Sequence, residues 1–471
     1  MQSSIIDYRS LEPISLRLDA EYYRPIFLDI EAKIKRRPWD YLANLSESIK
    51  SFGAYSLCNQ VEYLDKGIPF LRCKDIKNGL IDLSDVLFID DDTNQLLWKS
   101  EVKPKTVLFT MSGTVGNSAI ATEELKFPIN SNQDIAKIVT NEKLNPYYFS
   151  IFLQSDYGKK QILRLPIGSV QQHIFLWQLE RLIIPLYSIA FQTLIERVFK
   201  LSLNSQTKAM AAYSQAQTLL LSELGLLDWK PKHRLSFVKN YSDTQQAERF
   251  DAEYFQPKYD DIVAAIKNYT DGWDTTENTL NIKDSNFSPK HNVEYKYIEL
   301  ANIGSNGEIT GFTEAEGQDL PTRARRKVSK NDVIVSSIEG SLSSCALIPD
   351  EYNGALCSTG FYIVDSTKIN PQTLLVLLKS PIGQEQLKKG CSGTILTAIN
   401  KDEIGKIVLP IVDSGIQHQI KQKITESFNL RKQSKHLLEC AKKAVEMAIE
   451  KDEETAMRWL DSQLDSMEME K

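Results

Sequence analysis

The sequence has no apolar run approaching the ~18–20 residues needed to span a bilayer. Its opening, Met1-Gln2-Ser3-Ser4-Ile5-Ile6-Asp7, lacks both the basic start and the long apolar core of a secretion signal. No membrane partner is expected, and the cytoplasm is the expected location. Cysteine is scarce and irregular. Cys58, Cys73, Cys345, Cys357, Cys391 and Cys440 include no CxxC pair, which argues against a disulfide frame or a zinc site. The five histidines are scattered, so no metal site is expected. There is no Walker A loop, HExxH, GxSxG or Gly-rich dinucleotide fingerprint, and no catalytic residues are assigned. A charge excess is missing from most of the chain as well. The formal net charge is −6, but nine acidic residues face three basic ones from Glu446 to Lys471, so residues 1–445 sum to zero. Charge alone neither supports nor excludes a nucleic-acid partner.

What the chain does have is one text written twice, about 225 residues apart. Leu18-Asp19-Ala20-Glu21-Tyr22-Tyr23-Arg24-Pro25 returns as Phe250-Asp251-Ala252-Glu253-Tyr254-Phe255-Gln256-Pro257. Asn145-Pro146 returns as Asn370-Pro371, and Leu153-Gln154-Ser155-Asp156-Tyr157-Gly158 as Leu378-Lys379-Ser380-Pro381-Ile382-Gly383. Leu179 to Pro185 returns as Ile404 to Pro410, with Gln192 matching Gln417 beyond. Solenoid units are far shorter than this period. The repeat therefore predicts two whole domains of one architecture whose intervening surfaces differ.

Each half predicts the same order of elements. Short β-branched runs such as Ile68 to Cys73, Thr106 to Thr110 and Val333 to Val335 read as strands. Asn-Pro then starts a helix, Tyr147–Arg164 in one half and Thr373–Lys389 in the other, with proline in the harmless first turn. A strand ending in proline closes the domain and a long helix follows. Ile195, Val198 and Leu220 in the first long helix, and Ile420, Ile424, Phe428, Leu438 and Val445 in the second, lie at seam spacing. A polar stretch near Arg431 to Lys435 interrupts the second seam. Each helix runs about 35 residues, roughly 50 Å at ~1.5 Å rise per residue. The seams predict an antiparallel pair; two separate surface helices are the alternative. The fold class expected is α+β, with two repeated recognition domains separated by the paired helices. The expected boundaries are 1–188, a helix over 189–225, 226–412 with a lead-in segment, a helix over 413–450, and an acidic tail over 451–471.

The divergent middles hold the candidate contact residues. Met111-Ser112-Gly113-Thr114-Val115-Gly116-Asn117-Ser118 leaves a strand as a Gly-rich loop able to bring N–H groups and Ser112 and Thr114 hydroxyls against a phosphate. Its counterpart, Ser336 to Ser344, offers Ser336, Ser337 and Ser341; both also suit ordinary hairpin turns. Asn130, Asn132 and Gln133 carry the amides that pair with adenine edges, opposite Ser358 and Thr359, although a capped polar turn would look the same. Arg323, Arg325, Arg326, Lys327 and Lys330 gather five positive charges, while Arg72, Lys74, Lys99, Lys103 and Lys105 serve the first half. Such clusters suit phosphate contacts, or else a solvated face. Gln171, Gln172 and Thr394 sit in loops that begin Gly168-Ser169 and Gly393-Thr394. One tempting motif fails its own repeat: Asn145-Pro146-Tyr147-Tyr148 approaches the Asn-Pro-Pro-Tyr of amino-methyltransferases, yet its counterpart, Asn370-Pro371-Gln372-Thr373, keeps no aromatic residue.

The doubled set of Asp-Ala-Glu-Tyr openings, Asn-Pro helix starts and closing Ile-Pro or Leu-Pro resembles the specificity (S) subunits of type I restriction–modification systems over essentially the whole chain. The resemblance implies a non-catalytic DNA-recognition subunit reading a split, asymmetric target in double-stranded DNA, one half-site per domain. It implies two methyltransferase subunits and endonuclease/translocase subunits as partners. It also implies no cofactor of the chain's own, with S-adenosylmethionine, ATP and Mg on partner subunits only. Ala190-Phe191-Gln192 and Ile416-Gln417 lack the Glu-Gln pair common in that family, and the acidic tail is longer than expected. A subunit of a modification-only or type II-like methyltransferase system, and a protein-binding scaffold that does not touch DNA, are the alternatives.

Overall fold

In the computed structural model, which describes residues 5–7, 11, 17–52, 61–77, 79–168, 172–393 and 397–469, the chain divides into two units. One is Met1–Asn204 with Gln433–Lys471, and the other is Ser205–Lys432. Cys58 lies outside the described residues. No helix among those described is long and apolar enough to cross a membrane.

In the first unit, α1 (Pro25–Lys35) begins on proline and leads to β1 (Trp39–Tyr41) and β2 (Ser46–Lys50). After an excursion come β3 (Val107–Thr110), β4 (Ser118–Ile120) and β5 (Ile135–Thr140). They form an antiparallel sheet in the order β2-β5-β3-β4. Next follow α2 (Pro146–Gln154), α3 (Asp156–Leu163), and β6 (Ile183–Pro185), which pairs with β1. Every residue of β3 is buried. Val107 and Phe109 face the helical core, while Leu108 faces a second core under a small sheet of Ile68–Leu71, Leu87–Ile89 and Asn130–Ser131. A strand covered on both faces reads as a continuous apolar run, not an alternating one. Burial of each such side chain contributes about 1.5–3 kcal/mol.

From β6 the chain passes into α4 (Ile189–Glu223). Gly225, at φ +65°, closes it with bonds from Gly225 N–H to the Ser222 carbonyl and from Leu226 N–H to that of Leu221. The second unit repeats the frame with α5 (Pro257–Lys267), β7 (Trp273–Thr275), β8 (Leu280–Lys283), β9 (Val333–Ser336), β10 (Cys345–Leu347) and β11 (Phe361–Ser366). Then come α6 (Pro371–Lys379), α7 (Pro381–Lys389) and β12 (Val408–Pro410). The sheet order, β8-β11-β9-β10, and the β7-β12 pair match the first unit strand for strand. Here the overlying sheet has four strands, because Ala324–Lys327 adds itself beside Leu356–Ser358.

Several repeated motifs acquire reasons. The helix expected over Tyr147–Arg164 is two helices, as is that over Thr373–Lys389. Ser155 and Ser380 end one helix and cap the next, their hydroxyls accepting from Gly158 and Gly383 N–H. Those glycines leave no room for a Cβ, which would lie 2.1 Å from the Phe152 carbonyl and 2.2 Å from that of Leu377. Asn145 caps α2 by accepting from the Tyr147 and Tyr148 amides, and Asn370 caps α6 through Thr373. Gln192 accepts the Asn145 N–H at 2.8 Å, and Gln417 that of Asn370 at 2.7 Å. Each long helix is thereby tied to the domain before it. Tyr147 and Tyr148 are buried core residues, the latter donating to the Pro185 carbonyl.

The Asp-Ala-Glu-Tyr openings are clamps, and an arginine stands just ahead of each. Arg17 binds Asp19 and the Arg164 and Leu165 carbonyls, and lies over the Tyr22 ring. Arg249 does the same with Asp251, the Lys389 and Cys391 carbonyls, and Tyr254. The Arg17 hydrogen bond holds the Asp19 carboxyl below its ordinary pKa, against a smaller opposing effect of burial.

The second long helix, α8 (Ser414–Glu450), packs against α4. Ser202 meets Ser434 in the first unit, and Ser427 donates to the Ala209 carbonyl in the second. Partner numbers fall as helix numbers rise, so the pair is antiparallel. Ile195, Val198, Leu438 and Val445 join the core of the first unit, and Leu220, Ile420, Ile424 and Phe428 that of the second. The polar interruption also has partners: Arg431 reaches Glu308 at 2.6 Å within the second unit. The stretch expected only as an acidic tail is a helix, α9 (Glu453–Met469), whose Ala456 and Leu460 are fully buried in the first unit. Arg37 donates to the Ile449 and Lys451 carbonyls where α8 ends, and Ser188 binds Glu453 where α9 begins.

Candidate nucleic-acid interface

In each unit the divergent loops emerge at one end of the central strand pair, β3 with β5 in the first and β9 with β11 in the second. Beyond β3 in the first unit, Met111 N–H donates to the Asp134 carbonyl and Ile174 N–H to that of Met111. Ser112 and His173 share a side-chain hydrogen bond, and Thr114 donates to the Cys73 carbonyl. This end therefore gathers the Gly-rich loop, Asn132 to Asp134, Gln172-His173, and the Arg72 to Lys74 turn. In the second unit, Ser337 N–H donates to the Gly360 carbonyl, Thr359 N–H to that of Arg323, and Ile399 N–H to that of Ser337. Arg323, Ser337, Thr359 and the end of the last loop, at Ile399, come together in the same way.

Exposure sorts the candidates. Thr114, Gln172, Lys74, Lys103, Lys105, Arg323, Arg325, Lys327, Lys330 and Thr359 are exposed. Arg72, Asn132, Gln133, Arg326, Ser337 and Ser341 are half-buried. Four candidates are buried: Asn130, Ser112, Ser336 and Ser358. Asn130 donates to Asn94 and the Leu97 carbonyl and accepts from Ser131 N–H. Its amide has no edge left for a base. Ser336 accepts from Ile338 N–H and bonds Ser341, and Ser358 accepts from Gly360 N–H, so both shape turns. Gln171 and Thr394 lie outside the described residues.

The basic residues do not make a single patch. Arg323 stands at the loop end of Ala324–Lys327, while Lys330 lies at the far end beside Asp350. Lys103 and Lys105 likewise precede β3, opposite the Gly-rich loop, and Lys105 pairs with Glu123. Arg72 is held by Asp75, and Lys74 by Asp85. The segments ahead of β3 and β9 correspond in register, since Val102 N–H donates to the Ile129 carbonyl as Val328 N–H does to that of Ala355. Arg326 turns inward, its Nε and Nη1 enclosed without a hydrogen-bond partner. At the loop end, then, the cations are Arg72 and Lys74 in one unit and Arg323 and Arg325 in the other, beside different polar sets.

His173 belongs to this site although only its loop drew attention in the sequence. Cys73, behind the Thr114 loop, is pushed up to about 11 by burial, and Cys357 under the arginine strand to about 12, so both stay protonated at neutral pH. Among the described residues, no three His, Cys, Asp or Glu side chains are placed to hold a metal ion.

No protein-family pattern matches the sequence, and no curated protein matches it. Solved structures to which the chain is similar include the S subunit of a type I restriction–modification system from M. genitalium, at 15% identity, covering 88% of this chain and 95% of that one with a TM-score of 0.41. Another is the HsdS subunit from Thermoanaerobacter tengcongensis, at 13% identity, 88% and 97% coverage, and a TM-score of 0.29.

Proposed function

We propose that this chain is the DNA-recognition subunit of a type I restriction–modification complex, reading an asymmetric, split target with one unit per half-site. The observation that carries the proposal is the doubled frame with divergent loops. The sheet order, helix caps and clamps recur, whereas the polar side chains at the loop ends do not. In the first unit, Thr114, Asn132, Gln133 and Gln172 would face base edges, with Arg72 and Lys74 toward phosphates. In the second, Ser337, Ser341 and Thr359 would do so beside Arg323 and Arg325. Phosphate contacts position the protein and base contacts specify the sequence, so two different polar sets imply two different half-sites. The paired helices would set the spacing. The chain would perform no chemistry, methyl transfer and cleavage belonging to methyltransferase and endonuclease partners.

The test is methylation sequencing of host DNA with and without this chain, alongside its co-purification with a methyltransferase subunit. A split motif whose methylation vanishes on deletion is expected. Binding of the methyltransferase without any change in methylation would favour a protein scaffold. Exchanging residues 61–140 for those of a relative with another target should change one half of the motif and leave the other intact.

A further inference from the structure

The first unit contains a cavity of about 570 Å³, walled by α1, the first clamp, the end of α3 and residues 177–183. Arg17, Lys35, Arg164 and Arg181 line it against Asp7 and Glu31, so positive charge is in surplus. Arg164 is the centre of the arrangement. Its side chain is only 10% exposed, and its Nη2 donates to Glu31 at 2.7 Å. The Tyr22 ring lies against its guanidinium, 4.9 Å from the centroid. Its Nε, by contrast, is enclosed without a hydrogen-bond partner. A buried donor left unpaired is costly, and a ligand oxygen in the cavity would satisfy it. The aromatic part of the wall is the first unit's own. Tyr41 and Trp177 line the cavity, with the Arg181 guanidinium 5.5 Å from the Tyr41 centroid. At the corresponding places the second unit has Thr275 and Asp402, and Val263 replaces Glu31. Arg17, Tyr22 and Lys35 recur as Arg249, Tyr254 and Lys267. The repeated frame is thus built in the second unit without the two rings and without the Glu31 bridge.

We propose that this cavity binds a nucleoside phosphate, its phosphate held by the arginines and its base lying against Tyr41 and Trp177. Three features select that class. The volume falls within the roughly 300–1,000 Å³ of pockets for small organic ligands, and a bare ion would leave most of it unfilled. The cationic surplus selects an anion, and a guanidinium with a spare donor matches the oxygens of a phosphate. Two aromatic rings and the guanidinium planes beside them favour a flat body over a branched one. None of the lining residues is among the candidate DNA contacts, so the site is additional to the loop ends and does not depend on what they read.

Calorimetric titration of the full chain with adenosine 5′-monophosphate, adenosine and inorganic phosphate tests this. The nucleotide should saturate one site and raise the thermal midpoint, while adenosine and phosphate bind at least tenfold more weakly. W177D installs the second unit's residue, and A32F fills the cavity from an exposed position on α1. Each should weaken nucleotide binding at least tenfold. A32F touches none of the ion pairs, so loss of binding in a chain that still unfolds at the wild-type temperature separates occupancy of the cavity from damage to the fold. Absence of saturable nucleotide binding to the wild-type chain overturns the inference, as does unchanged affinity in both variants. If inorganic phosphate binds as tightly as the nucleotide, the cavity is an anion site only and the inference falls. If a DNA duplex displaces the nucleotide, the cavity belongs to the nucleic-acid face and the inference falls likewise.

Discussion

At the residue scale, the most informative side chains are ones whose twin does the same work. Gln161 donates to the Ile183 carbonyl at 3.0 Å and accepts the Ile183 N–H, and Gln386 treats Val408 identically. Both are buried, at 4% and 6% exposure. Each fixes the closing strand to the helix ahead of it as another strand would. Removing either carboxamide leaves a buried N–H and carbonyl without partners, at about 1–3 kcal/mol per group. Q161A or Q386A should therefore lower stability by about 2–4 kcal/mol in urea unfolding, while Q172A, at an exposed loop position, should stay within about 0.5 kcal/mol. Loss of no more than that from Q161A would contradict the bridging role. These glutamines stand at the repeat's own spacing, as do Arg17 and Arg249. They were hidden in the sequence because a polar residue announces a surface until its burial is known. Asn130 misled for the same reason in the opposite direction. It has the right chemistry for a base edge, but its donors and acceptor are consumed inside the protein.

At the scale of elements, much was legible: the strand runs, the Asn-Pro helix starts, the closing prolines and the seam residues Ile195, Val198, Leu220, Ile420, Ile424, Phe428, Leu438 and Val445. What periodicity could not reveal was the break at Ser155 and Ser380, since apolar spacing continues across it and only the serine hydroxyl and the close glycine mark it. Nor could spacing along the chain reveal spacing in space. Five charges close together in sequence lie along one strand and its continuation, so Arg323 and Lys330 stand at opposite ends. This yields a graded expectation for DNA binding. R323A/R325A should reduce the magnitude of the salt slope by about 2, at roughly 0.9 per phosphate contact. K330A, beside Asp350 and away from the loops, should leave it unchanged. Equal effects from both would mean that the whole strand, and not its loop end, follows the phosphates. Titration of binding to a duplex across a range of salt concentrations distinguishes the two.

At the scale of the whole molecule, α4 and α8, of 35 and 37 residues, are the parts that belong to both units. Under the proposed function they act as a ruler. Deleting about two turns from each, in register, removes roughly 10 Å. The preferred gap between half-sites should then shorten by about three base pairs, at ~3.4 Å each. Selection of binding sites from random duplexes measures this, and an unchanged gap would end the ruler idea.

The first unit is closed by residues from the far end of the chain: Leu437 to Ile449 of α8 and Ala456 and Leu460 of α9 complete its core. The second unit is a single stretch, Ser205–Lys432. During synthesis the earlier-made domain must therefore wait, its apolar face uncovered, while the later-made one can finish. A ribosome that stops short of α9 releases a protein damaged at its beginning. Nascent-chain proteolysis would see the second unit become protected before the first.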